Sequence, residues 1–247
     1  MSALKKILIW LPIGAVLAVG ALGGYVYMGL PDVRALQHQN PSTTALIEYR
    51  IRQAQQSNNI LNIRQHWVEF DAIPQLLKDT IRITEDAAFY QHNGVDYTEL
   101  KEAIKKNWKK GKYARGASTI TQQLAKNLYL STHKSILRKI KEYFIARSLE
   151  AHLGKDRIFH IYLNIIELGP GIFGVQAASR YYFNKNADEL CLEEIVRLTA
   201  VIPRPLEIDP RGQSKWLKWK ASWILDALKR YQYIQNDEHQ AVINRFQ

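Results

Sequence analysis

Apolar positions recur at three- and four-residue spacing along most of this chain, and that period predicts a succession of helices. Residues 45–56 are rich in good helix formers. A second helix over 74–85 places Pro74 in its tolerated first turn, points Leu77 and Ile81 inward and brings Glu85 out at its C-terminal end. An amphipathic, basic helix is predicted over 97–108. Helices over 118–130, 135–153 and 155–168 follow, then 175–183, 192–201, a tryptophan-containing 214–233 and one more in the tail. The breakers are GKYARG at 111–116, GPGIFG at 169–174 and IPRP at 202–205. One short extended segment is expected at 63–70 (IRQHWVEF). With no repeat, low-complexity tract or long alternating pattern, the expectation is a mainly α domain over 45–247.

The pattern changes at the N-terminus. Residues 7–30 form an apolar run with no charge inside it, long enough to span a bilayer. Lys5 and Lys6 precede it and place a short tail, 1–6, in the cytoplasm. Trp10, Tyr25 and Tyr27 lie near its ends, where amphipathic rings favour the interface. A cleaved signal peptide is the alternative, but the run is long for one. The expected organisation is a cytoplasmic tail, one transmembrane anchor, a linker over 31–44 and a domain on the outer side of the cytoplasmic membrane.

Composition narrows the partners. The 247 residues hold 34 Lys and Arg against 23 Asp and Glu, a formal net charge of +11. That balance favours anionic partners such as phosphates and lipid headgroups, and an extracytoplasmic domain argues against nucleic acid. The single cysteine, Cys191, excludes an intramolecular disulfide. The seven histidines show no zinc-type spacing.

Candidate chemistry lies in the middle of the chain. On the 118–130 helix, Ser118, Gln122 and Lys126 share one stripe with Gln123 beside them, while Ile120, Leu124 and Leu128 share another. The polar stripe reads equally as a cleft wall or as a solvated face. On the next helix Arg138 and Glu142 are four apart with Lys139 adjacent, the spacing of an ordinary ion pair. The excess of Lys126, Lys134, Arg138, Lys139 and Lys141 over Glu142 calls for further negative charge, which a pyrophosphate would supply. Glu85 and Asp86 are adjacent and must point in different directions, so one can face a cleft while the other braces backbone or a cation. His92 reads as structural. S-x-x-K at 131–134 has no K-T-G partner and is a chance match.

Five ordered blocks then carry a resemblance: EDAAFYQHNGVD at 85–96, RGASTITQQLAKNLYL at 115–130, RKIKE at 138–142, IYLNIIELGPGIFGVQAASRYYF at 161–183 and RLTAVIPRP at 197–205. The chain resembles the monofunctional peptidoglycan glycosyltransferases, the family that also forms the polymerase module of bifunctional penicillin-binding proteins. The resemblance implies a lysozyme-like, two-lobed, mainly α fold. It implies lipid II and a growing glycan–lipid as substrates, inverting β-1,4 transfer, and release of undecaprenyl pyrophosphate. By match to the blocks, Glu85 is the general base. Ser118, Gln122, Gln123, Lys126, Lys134, Arg138 and Lys139 are the substrate and pyrophosphate ligands. Glu142 is the second carboxylate, and whether it orients cations, holds a divalent magnesium or manganese ion, or positions the acceptor stays open. Tyr162 and Asn164 are expected to brace helices around the cleft. Partners implied are the membrane and other cell-wall synthesis or division proteins. A glycan hydrolase on a similar scaffold, which would not need the cations, and a non-enzymatic membrane-anchored binding module are the rival readings.

Overall fold

The structure, a computed structural model, describes residues 20, 23, 24, 26, 28–110, 118–133 and 135–246, and the backbone alone at 107, 109 and 110. The anchor expected at 7–30 lies mostly outside these residues. Among the described residues no helix is long and apolar enough to cross a membrane. The fold is mainly helical, as predicted.

The first six helices along the chain are α1 (Ala45–Gln56), α2 (Gln75–Glu85), α3 (Tyr97–Lys110), α4 (Ile120–Tyr129), α5 (Ile136–His152) and α6 (Lys155–Ile165). Four more complete the body: α7 (Val175–Phe183), α8 (Leu192–Val201), α9 (Lys215–Arg230) and α10 (Asn236–Ile243). α6 is central, with every residue from Ile158 to Ile165 buried. A helix enclosed on all sides must satisfy its polar groups internally. His160 does so with Nε2 2.8 Å from the Val68 carbonyl. Asn164 accepts from Val68 N at 2.9 Å and donates to Val68 O at 3.1 Å, so it braces the 66–70 segment rather than the helices around the cleft that the sequence suggested. α4 packs against α1, α5 and α6, while α2 packs against α8 and α9.

Helix starts follow capping chemistry more closely than hydrophobic period. α4 begins at Ile120 because Thr119 is extended and its side chain accepts from Gln122 N, with the Gln122 side chain accepting in return from Thr119 N. Ser135 and Ser214 cap α5 and α9 by accepting from Arg138 N and Leu217 N, so the predicted starts at 135 and 214 are the caps themselves.

The helix predicted over 155–168 is the clearest correction. It ends at Ile165, and β2 (Glu167–Gly169) turns back against β3 (Ile172–Phe173), which pairs in parallel with β1 (Arg64–Gln65). β2 and β3 are buried throughout, so no polar–apolar alternation marked them as strands. Gly174 closes the unit at φ +81°, and a Cβ there would stand 2.5 Å from the Asn164 carbonyl oxygen. Non-glycine backbone in that region costs about 1–3 kcal/mol before any clash. Gly174→Ala is therefore expected to lower the urea midpoint by an amount equivalent to roughly 3 kcal/mol. Gly154→Ala, where a Cβ meets nothing within 4 Å, should be near neutral.

Candidate active site

A cavity of about 460 Å³ opens between α1, α4, α5 and the loop after α8. α4 contributes Gln122, Gln123 and Lys126, and α5 contributes Arg138, Lys139 and Glu142. The polar stripe read from the sequence thus faces a cleft, while Ile120, Leu124 and Leu128 are buried in the core. Ser118 also lines the cavity and accepts from Lys139 Nζ at 3.0 Å. Gln122 is buried at the wall, but its carbonyl oxygen is held by the α4 cap, which leaves its amide N–H₂ to offer. Lys134 lies outside the described residues.

Glu142 is buried and accepts from Arg138 at 2.9 Å and from Lys139. Three cations, Lys126, Arg138 and Lys139, face this one carboxylate. Arg138 Nε is buried with no hydrogen-bond partner among the described residues. A guanidinium N–H without an acceptor is costly, and an anion in the cavity would satisfy it. Both Glu142 oxygens accept from these cations, so a divalent ion at Glu142 would have to displace Arg138 or Lys139 from it.

Glu85 ends α2, half-buried, and its Oε2 accepts from Gln123 Nε2 at 2.9 Å. Burial pushes its carboxyl above the usual glutamate range, and the neighbouring Asp86 adds to this. The Gln123 bond and the charges of Lys220 and Lys126 act in the opposite direction. Lys126 is pushed down chiefly by burial, and by the like charges of Arg138 and Lys139, against the pull of Glu142 and Glu85. Glu85 does not itself line the cavity, but Gln123 does and joins the two, and Glu85 and Lys126 lie within each other's field.

Asp86 takes the bracing role that the adjacent carboxylates imply. It accepts from the Ile120 backbone N–H at 3.0 Å and lies 3.0 Å from His92 Nε2. α2 is thereby pinned to the start of α4, which fixes Glu85 relative to Gln123 and Lys126. His92 is structural, as expected.

Four contributors carried no signal in the motif blocks or were undervalued there. Lys220, on α9, is half-buried, stands 4.2 Å over the Trp223 ring and acts on Glu85. A lysine between tryptophans on an amphipathic helix was the only hint. Arg50 and Glu167 both line the cavity, joined by a two-pronged ion pair of 2.7 and 2.8 Å across 117 positions of sequence. Tyr162, expected only to brace helices, donates its hydroxyl to Gln123 Oε1 at 3.0 Å.

A transglycosylase family model matches residues 53–229. The chain belongs to the transglycosylase family. The match encloses every predicted site residue and Lys220, while Arg50 precedes it. This transglycosylase is 38% identical over 225 residues to the biosynthetic peptidoglycan transglycosylase of Janthinobacterium sp. (strain Marseille), covering 91% of this chain and 96% of that protein. It is 42% identical over 192 residues to the biosynthetic peptidoglycan transglycosylase of Methylobacillus flagellatus, covering 78% and 83%. A solved structure of penicillin-binding protein 1A from Haemophilus influenzae matches with a TM-score of 0.42 at 20% identity, over 74% of this chain and 18% of that chain.

The site predicts a pH profile. In the base role that the resemblance implies, Glu85 must be ionised, and it is held above the usual carboxylate range, so activity should fall on the acid side at a pH above that of an ordinary glutamate. Lys126 must be charged to meet an anion, and it is held below the usual lysine range, so the alkaline limb should lie below that of an ordinary lysine. A bell of kcat/KM against pH, with both limbs drawn inward, is the expected result.

Proposed function

We propose that this transglycosylase polymerises peptidoglycan glycan strands from lipid II. In this reading the acceptor 4-hydroxyl gives its proton to Glu85 and attacks the anomeric carbon of the donor. The bond to the leaving phosphate oxygen breaks with inversion, a β-1,4 link forms, and undecaprenyl pyrophosphate departs with its electron pair. Pyrophosphate is a good leaving group and needs cations more than a proton donor. Lys126, Arg138 and Lys139 meet it, the family resemblance adds Lys134, and Gln122, Gln123 and Ser118 supply hydrogen-bonding groups. Glu142 fixes the directions of Arg138 and Lys139.

The observation that supports this is a desolvated glutamate, Glu85, joined through Gln123 to the cleft that Lys126, Arg138 and Lys139 line. A hydrolase would need the acid but not the cations.

The reading extends to a lysozyme-like, two-lobed arrangement behind an anchor at 7–30, with the domain on the outer face of the cytoplasmic membrane. Its support is the uncharged apolar run after Lys5 and Lys6. Further support comes from exposed apolar side chains, with Ile104 at 58%, Trp108 at 87% and Ile136 at 83% accessibility, on helices that also carry many lysines. Other cell-wall synthesis or division proteins are its expected partners.

Purified protein incubated with lipid II, and separately with finished peptidoglycan, tests the function. Polymer from the first and no fragments from the second is the expected result. Fragments from the polymer without polymer from the lipid would assign the chain to hydrolysis.

A further inference from the structure

Glu85 can serve as a base only if its surroundings favour the ionised form, and they are divided. Burial opposes ionisation, and so does the C-terminal end of α2, where backbone carbonyls gather negative charge. One direct hydrogen bond favours it, from the Gln123 side-chain amide. That amide has two faces. Its N–H₂ stabilises a carboxylate, and its C=O, turned the same way, would stabilise only a protonated carboxyl. Which face meets Glu85 is therefore a chemical decision that some other group must make.

Tyr162 is placed to make it. It sits on the enclosed helix α6 with its side chain wholly buried, and its ring packs beside Phe159 at 6.4 Å between centroids. Its hydroxyl is 3.0 Å from Gln123 Oε1, while Gln123 Nε2 is 2.9 Å from Glu85 Oε2. We infer that Tyr162 is a positioning residue for the reaction: its hydroxyl holds the Gln123 carbonyl and so commits the amide N–H₂ to the Glu85 carboxylate. This rests on the reading of Glu85 as the base.

The chain of bonds has one self-consistent polarity when Glu85 is ionised. A carboxylate only accepts, so the amide nitrogen faces it and the amide oxygen faces Tyr162, which must then donate. Burial, with the charges of Glu85 and Asp86, holds the Tyr162 proton far more tightly than in a free phenol, so the hydroxyl remains a donor throughout the working range. A phenylalanine at 162 keeps the ring and its packing but removes the donor. The Gln123 oxygen is then left without that partner, the amide is free to turn over, and its C=O can accept from a protonated Glu85.

The other charges around Glu85 would be untouched by that change. Asp86 adjoins it in the chain, Lys126 faces it from α4 and Lys220 from α9. Arg82, on α2 itself, is engaged with Asp79 and the Tyr233 hydroxyl. On α8, Arg197 is paired with Glu193 and bonded to the Pro210 carbonyl.

The test measures kcat/KM against pH with fluorescently labelled lipid II on the full chain, for the wild type, Tyr162→Phe, Gln123→Met, the double variant and Glu85→Gln. With the amide free to turn its C=O to a protonated Glu85, the acid limb of Tyr162→Phe should move upward by about one pH unit. On that limb the variant is expected to be about tenfold slower, a larger loss than on the plateau. Gln123→Met should move the same limb, and the double variant should move it no further than Gln123→Met alone, because both changes break one chain. A Tyr162→Phe limb that stays in place, or a rate lowered equally at every pH together with a lower melting temperature, overturns the inference while leaving an inactive Glu85→Gln to support the base. Full activity in Glu85→Gln removes the base reading itself. Should Tyr162→Phe fail to fold, Gln123→Met decides, and an unmoved limb there overturns the inference.

Discussion

Glu85→Gln is expected to lower lipid II polymerisation by roughly 10²–10⁴-fold at neutral pH, the usual range for losing a positioned base. The substitution keeps the size of the side chain and its place at the end of α2. It also keeps a hydrogen bond to Gln123, since an amide can accept as a carboxylate does. What disappears is the capacity to take a proton from the acceptor hydroxyl. The sign of the stability change separates this from simple damage. Burial raises the carboxyl's proton affinity, so above its folded pKa the ionised Glu85 is a cost to the folded state that a neutral glutamine does not carry. The variant should melt at the same temperature as the wild type or slightly higher. A collapse of the melting temperature, or polymer yield equal to wild type, would take Glu85 out of the proposed role.

The site was legible in the sequence to the degree that it is local. The two faces of α4 follow from helical spacing, and the burial of Ile120 and Leu124 against the cavity-facing Lys126 bears that spacing out. Arg138 and Glu142 meet because they are four apart on α5. The division of labour between Glu85 and Asp86 follows from their adjacency on one helix end. α1, α7 and α8 occupy the residues predicted for them.

Long-range pairs left no trace. Arg50 reaches Glu167 across 117 positions, and nothing local to either residue announces the other. Lys220 affects Glu85 only because α9 packs on α2. The β2–β3 turn escaped notice for a different reason: strands of three and two residues, buried throughout, are too short to display any period. At Glu142 the humble reading of an ion pair and the functional one prove compatible, since the pair holds two cations toward the cavity.

Lys126→Ala is the second large effect, and its argument is one of charge balance. Among the described residues, three cations and one carboxylate leave the cleft with an excess of two positive charges, while Arg50 and Glu167 cancel each other across the wall. In the absence of an anion this arrangement is self-repelling. Lys126 is the member that shows it: half-buried, it loses proton affinity first to burial and then to Arg138 and Lys139. Removing it should therefore leave stability unchanged or raise it slightly. The departing pyrophosphate would lose a cation at the moment its negative charge grows, and the loss of one such group typically lowers kcat by about 10²–10³-fold. Activity should also become less sensitive to added salt, because fewer charges contact the anionic donor. Lys126→Arg keeps the charge but spreads it over a planar fork, so it should recover part of the rate. A Lys126→Ala variant that melts far below the wild type would make the residue a structural one. One that polymerises lipid II at full rate would leave Arg138 and Lys139, with Glu142 directing them, as the groups that meet the leaving anion.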